Sequence, residues 1–165
     1  MKNIYSVVCW EIPNETDGKP EKEAGNLHFS IEKFKTGCNL KAEIDAMRCK
    51  YIHLCESKKD AEDLLEFWTE CEKVNRKDRD AIKARARDTK RTYTIEKFGA
   101  ISRKFETNGS AFDIAEYIYR SELKDSGSYE RPRAIGFNDN YICSCATIRH
   151  KDDSAKDYII KEVHE

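Results

Sequence analysis

No stretch of this chain approaches the ~20 consecutive apolar residues that a membrane-spanning helix needs. Nor does one sign of charge dominate: 30 Lys and Arg stand against 31 Asp and Glu. The first absence excludes a helical span within this sequence. The second means that only the distribution of charge, not its sum, points to a partner. The signatures of familiar chemistry are missing too, with no G-x-S-x-G, H-E-x-x-H, G-x-x-x-x-G-K-[ST] or G-x-G-x-x-G anywhere.

A disulfide framework is also out of place. Seven cysteines, an odd number, are scattered over 165 residues, a length that buries a core without staples. The first ten residues hold one lysine and a short apolar run, Val7 to Trp10, and lack the apolar core of a secretion signal. These features predict a cytoplasmic protein with reduced thiols and no membrane association. The length predicts a single domain over 1–165. An exposed loop is expected at 13–26, where two prolines, two glycines and many charges collect.

Apolar periodicity supplies the elements. Ile4, Val7, Val8 and Trp10 mark a first strand, and Leu27, Phe29 and Ile31 alternate as a second. Leu40, Ile44 and Met47 fall at helical spacing ahead of a strand over 51–55. Ser57 and Asp60 form the S-x-x-D pattern of a capping box. Behind them Ala61, Leu64, Leu65, Trp68 and Cys71 share one face of a helix predicted over 57–75. A second amphipathic helix is predicted over 110–123, a strand over 92–98, a hairpin around Asn138 to Asn140, and a last strand or helix over 156–163. The expected fold class is α+β: an antiparallel sheet packed by two main amphipathic helices, with Leu65 and Trp68 in its core.

The segment Asn140 to His150 contains C-x-C followed by a histidine. An unbroken strand puts Cys143 and Cys145 on one face with Thr147, and His150 on the other with Ala146 and Ile148. The three therefore do not close on one ion, and C-x-C is shorter than the usual zinc spacing. Both cysteines are expected as small buried hydrophobes. The alternative ligand set is Cys49, His53 and Cys55 on one face of an extended strand, completed by Cys143 or Cys145; the expectation is core packing, with no metal and no cofactor. No catalytic residue is assigned, because a nucleophilic cysteine needs a base within reach and the sequence aligns none.

Charge remains. Residues 76–91 carry eight basic and three acidic side chains with almost no apolar stripe, and read as a continuing polar helix or a linker. Arg76, Lys77, Arg79, Lys83, Arg85, Arg87, Lys90 and Arg91, with Tyr93, Arg131 and Arg133, are the candidate residues for binding a partner or nucleic acid. The leading expectation is a small intracellular, non-enzymatic binding or regulatory module of the accessory kind that phages and mobile elements carry. It would act on a protein partner or nucleoprotein complex through segregated acidic and basic surfaces. The alternatives are a nucleic-acid-binding protein using 76–91, and a zinc-stabilised or Cys/His-dependent small enzyme. Reduced thiols without a structural metal predict that EDTA and dithiothreitol leave the melting temperature unchanged, which paired thermal melts check.

Overall fold

The computed structural model describes residues 2–164. In chain order the strands are β1 (Asn3–Glu11), β2 (Glu15–Thr16), β3 (Lys19–Pro20), β4 (Leu27–Lys35), β5 (Tyr51–Cys55), β6 (Arg91–Lys97), β7 (Ala100–Thr107), β8 (Arg133–Phe137), β9 (Cys143–Ile148) and β10 (Tyr158–Glu162). Among the described residues there are three α-helices, α1 (Leu40–Met47), α2 (Lys58–Arg87) and α3 (Ala111–Ile118). The length suggests one domain; the folded chain groups into two compact units, Met1–Ile12 with Gly25–Arg79, and Pro13–Ala24 with Asp80–Glu165.

In the first unit β1 is the central strand of an antiparallel sheet, ordered β4-β1-β5. Ser6, Val7, Val8 and Cys9 are all fully buried, so both faces of β1 are covered. Asn39 starts α1 by accepting the Ala42 amide at 3.2 Å, and Arg48 ends it in the left-handed region at φ 51°. Ser57 Oγ accepts the Asp60 amide at 3.1 Å, as the S-x-x-D pattern predicts, and donates to the Asp60 carboxylate at 2.7 Å. Trp68 on α2 meets Phe29 and Tyr51 at 5.6 and 5.3 Å between ring centroids. Those two are the register partners of Cys9 on either side. The expectation that Leu65 and Trp68 are buried is corrected: both are half-buried, and Ala61 is the fully buried residue of that face. A three-stranded sheet is too narrow to cover an indole lying across it.

In the second unit the sheet has five antiparallel strands in the order β7-β6-β10-β9-β8. Its core joins Tyr93, Ile95, Ala146, Ile148 and Ile160 to Ala111, Ile114, Ala115 and Ile118 of α3. The apolar positions of α3 fall at helical intervals, so one face seats on the sheet. Ser110 and Asp113 form the reciprocal capping box that starts α3. After Ile118 the backbone widens into a π-turn over 119–123, ending at buried Leu123. The segment left open between strand and helix, 156–163, contains β10.

Two expectations of fold change. The antiparallel α+β character stands, but in place of one sheet and two main helices the described residues form three sheets, of five, three and two strands, and three α-helices. The span 13–26 is more than an exposed loop. It contains the β2–β3 hairpin and ends at buried Ala24, Gly25 and Asn26. Asp17 and Gly18 at the hairpin tip both have positive φ, 53° and 79°, which suits the turn of a two-residue hairpin. A Cβ on Gly18 would lie 2.9 Å from Arg133 Cγ, and the Gly18 carbonyl accepts the Ala134 amide of edge strand β8 at 2.6 Å. No helix of the described residues is long and apolar enough to cross a membrane.

Tyr93 is fully buried; its hydroxyl donates to the Gly109 carbonyl at 3.0 Å and accepts from Arg91 Nε at 3.1 Å. Tyr93→Phe should therefore cost about 1–2 kcal/mol by stranding polar groups of the β7–α3 connection, read from the shift in urea midpoint.

Candidate functional site

Residues 76–91 resolve into the end of α2, a turn, and the start of β6. Long unbranched side chains and alanines favour helix even without an apolar stripe. Three of the eight cations are taken up by the fold. Arg79 ion-pairs with buried Glu72 and donates from Nε to Asn26 Oδ1 at 3.2 Å, while Glu72 also accepts the Leu27 amide at 3.1 Å. Lys83 is buried, donates to the Ala24 and Lys22 carbonyls at 2.7 and 3.2 Å, and lies 4.9 Å from the centre of the Tyr141 ring. Arg91 reaches the Asn108 carbonyl at 2.8 Å as well as Tyr93. Arg76 is half-buried, and Lys77, Arg85, Arg87 and Lys90 are exposed. Tyr93 is corrected as a stacking residue, because a fully buried ring offers no face to a base.

Arg131 and Arg133 are both exposed but do not act together. Arg133 lies against the β2–β3 tip and lines a cleft of about 590 Å³ with Glu15 and Arg149. Arg131 lines a different groove of about 660 Å³, with Lys19, Phe112, Asp113, Glu116, Tyr119, Arg120, Lys124 and Pro132. One wall is the outer face of α3 and its π-turn; the other is the hairpin residue Lys19 and the segment leading into β8. Four cations thus face two carboxylates, and both carboxylates are engaged. Asp113 accepts from the Ser110 amide and hydroxyl at 2.8 and 2.9 Å, and Glu116 pairs with Arg120 at 3.1 Å. Among the described residues Lys19, Lys124 and Arg131 have no such partner. Phe112, Tyr119 and Pro132 supply the apolar part of the lining.

The sequence singled out only Arg131 of this group. Arg120 and Lys124 carry a readable signal, an i, i+4 spacing at the end of the helix predicted over 110–123. Lys19 carries none, since it arrives through the docking of the β2–β3 hairpin beside β8.

The cysteines are all free. Cys143 is buried in the core of the second unit, but Cys145 is half-buried, and the expectation that they share a face is corrected. Gly136 pairs with Cys145 and Phe137 with Cys143, so β9 advances two residues where β8 advances one. That bulge at Ser144 turns Cys143 to the core and leaves Cys145 beside its register partner Lys161. Burial raises the Cys143 thiol to about 11, and burial also raises Cys145, Cys9 and Cys55 above the ordinary value of 9.0. Neutral thiols are weak nucleophiles and poor metal ligands. Cys49 precedes β5, while His53 and Cys55 lie on it; Cys143 and Cys145 lie on β9, in a different sheet. Among the described residues no three of His, Cys, Asp and Glu gather as a ligand set. His150 Nδ1 accepts the amides of Asp152 and Asp153 at 3.1 and 3.0 Å, which makes it a turn-forming residue.

The raised Cys143 thiol sets a pH dependence. Below pH 9 both folded and unfolded chains hold the proton. As pH rises from 9.0 towards about 11 the unfolded thiol ionises first, so stability falls. Cys143→Ala should flatten that alkaline decline relative to the wild type, measured as unfolding free energy between pH 8 and about 11. Compared with protein-family models, curated proteins and solved structures, the chain gives no match.

Proposed function

We propose that this protein is a non-enzymatic binding module that captures an acidic segment of a protein partner in the groove over α3. The observation that carries the reading is the lining of that groove: Lys19, Lys124 and Arg131 without internal partners, beside Phe112 and Tyr119. Discrete carboxylates on a peptide fit this surface better than a continuous run of phosphates. Asp113 and Glu116 sit within the lining and would repel a closely spaced anionic backbone. The aromatic and proline surfaces suit an apolar side chain between the acids. Seven free thiols suit a reducing compartment such as the cytoplasm.

A second reading rests on a separate observation. Arg85, Arg87 and Lys90 are each exposed near the end of α2, and one phosphate contact from each, about three in all, would give duplex DNA a log–log salt slope near −3. One experiment separates the two. A fluorescein-labelled peptide of alternating Glu and Phe, and a duplex oligonucleotide, are titrated with the wild type, Lys124→Glu/Arg131→Glu and Arg85→Glu/Arg87→Glu at low and moderate salt. The groove reading expects peptide binding that drops at least about tenfold in the first variant only. Failure of the peptide to bind at low salt, or equal binding by that variant, overturns it. Oligonucleotide binding lost only in the Arg85/Arg87 variant would transfer the function to the end of α2.

A further inference from the structure

We infer that the cleft between the β2–β3 hairpin and β8 binds a phosphate monoester carried on an apolar body, with the phosphate held by Arg133 and Arg149. This cleft of about 590 Å³ lies in the second unit and shares no lining residue with the groove over α3. Arg133 is the register partner of Thr147, and Arg149 stands two residues beyond Thr147. Alternation therefore sets the two arginines on one face of the sheet as diagonal neighbours, roughly 7–8 Å apart. That face is the one opposite α3, because Ala146 and Ile148 on either side of Thr147 belong to the core. Both arginines are exposed, and the side chain of neither is bonded to a described residue.

Two guanidinium groups so placed repel one another, a cost that a shared anion removes. Glu15 is the only acid of the lining, and its carboxylate is taken up by the Gly18 amide at 2.5 Å. A carboxylate ligand presents two oxygens, which one guanidinium fork satisfies. A terminal phosphate presents three and carries nearly two charges, so it engages both forks. One fork is already seated: a Cβ on Gly18 would lie 2.9 Å from both Cγ and Nε of Arg133, so that side chain lies flush on the hairpin tip. Exposed Ile135 and half-buried Phe137 line the same cleft and suit an apolar body beside the phosphate.

The full chain is titrated with phenyl phosphate, inorganic phosphate and benzoate, while the Nε–H resonances of its isotope-labelled arginines are followed. Phenyl phosphate should move the signals of Arg133 and Arg149 and bind at least about tenfold more tightly than benzoate. Inorganic phosphate, which lacks the apolar body, should bind more weakly than phenyl phosphate. Arg149→Gln should weaken phenyl phosphate at least about tenfold with the melting temperature unchanged. Arg133→Gln, which keeps the carbons lying over Gly18, should do the same. Lys124→Glu/Arg131→Glu should bind it as the wild type does, so this site and the groove over α3 stand or fall separately. An alanine-flanked phosphotyrosine that binds more tightly than phenyl phosphate assigns the phosphate to a protein side chain; equal or weaker binding assigns it to a free small molecule. No binding of phenyl phosphate at ~10 mM, shifts confined to other arginines, or affinity unchanged in either glutamine variant overturns the site. Benzoate binding as tightly overturns the phosphate, and inorganic phosphate binding as tightly overturns the apolar body.

Discussion

A 30-residue helix that carries almost no apolar stripe in its second half has to be held by something other than hydrophobic burial. In α2 that role falls to buried charge bonded to backbone. In the first unit Glu72 accepts the Leu27 amide and pairs with Arg79, which holds Asn26. In the second unit Lys83 holds the carbonyls of Lys22 and Ala24. Such groups are costly to desolvate, and removing one partner strands the other in a medium that screens poorly. The buried ends of the 13–26 span follow from these bonds, because a charge that has left water needs fixed carbonyls and amides around it.

The same arithmetic decides which cations remain for binding. A run of like charge in sequence reads as one surface, but a helix distributes its residues around a cylinder. Part of the run then turns inward and becomes structure. A further group of unpaired cations comes from residues far apart in the chain: Lys19 on a hairpin, Lys124 after α3, and Arg131 ahead of β8. Lys19 is brought there by the hairpin tip, whose Gly18 carbonyl accepts the Ala134 amide of β8 at 2.6 Å.

Local rules were legible wherever one element answers to its own spacing. The strands at 3–11 and 27–35, the helix starts at Ser57 and Ser110, and the β8–β9 hairpin follow from alternation, capping residues and turn residues. Global arrangement was not. Nothing in the spacing of Leu65 and Trp68 says how wide a sheet they meet, so their half-burial was hidden. Strict alternation put Cys143 and Cys145 together, and a bulge carries no dependable signature when serine is the extra residue. Of the candidate site, only Arg131 was visible, because the groove depends on a docking that pairs residue 18 with residue 134.

The hairpin's irregularity is in fact double. Between the Ala134–Ala146 and Phe137–Cys143 pairs, β8 and β9 each advance three residues, with the extra one on β8 at Ile135 and on β9 at Ser144. The two offsets cancel, so the strands enter their turn in step. Ile135 is left outside the ladder and 56% exposed. Its exposure is thus a mark of how the two strands keep their phase through the double offset.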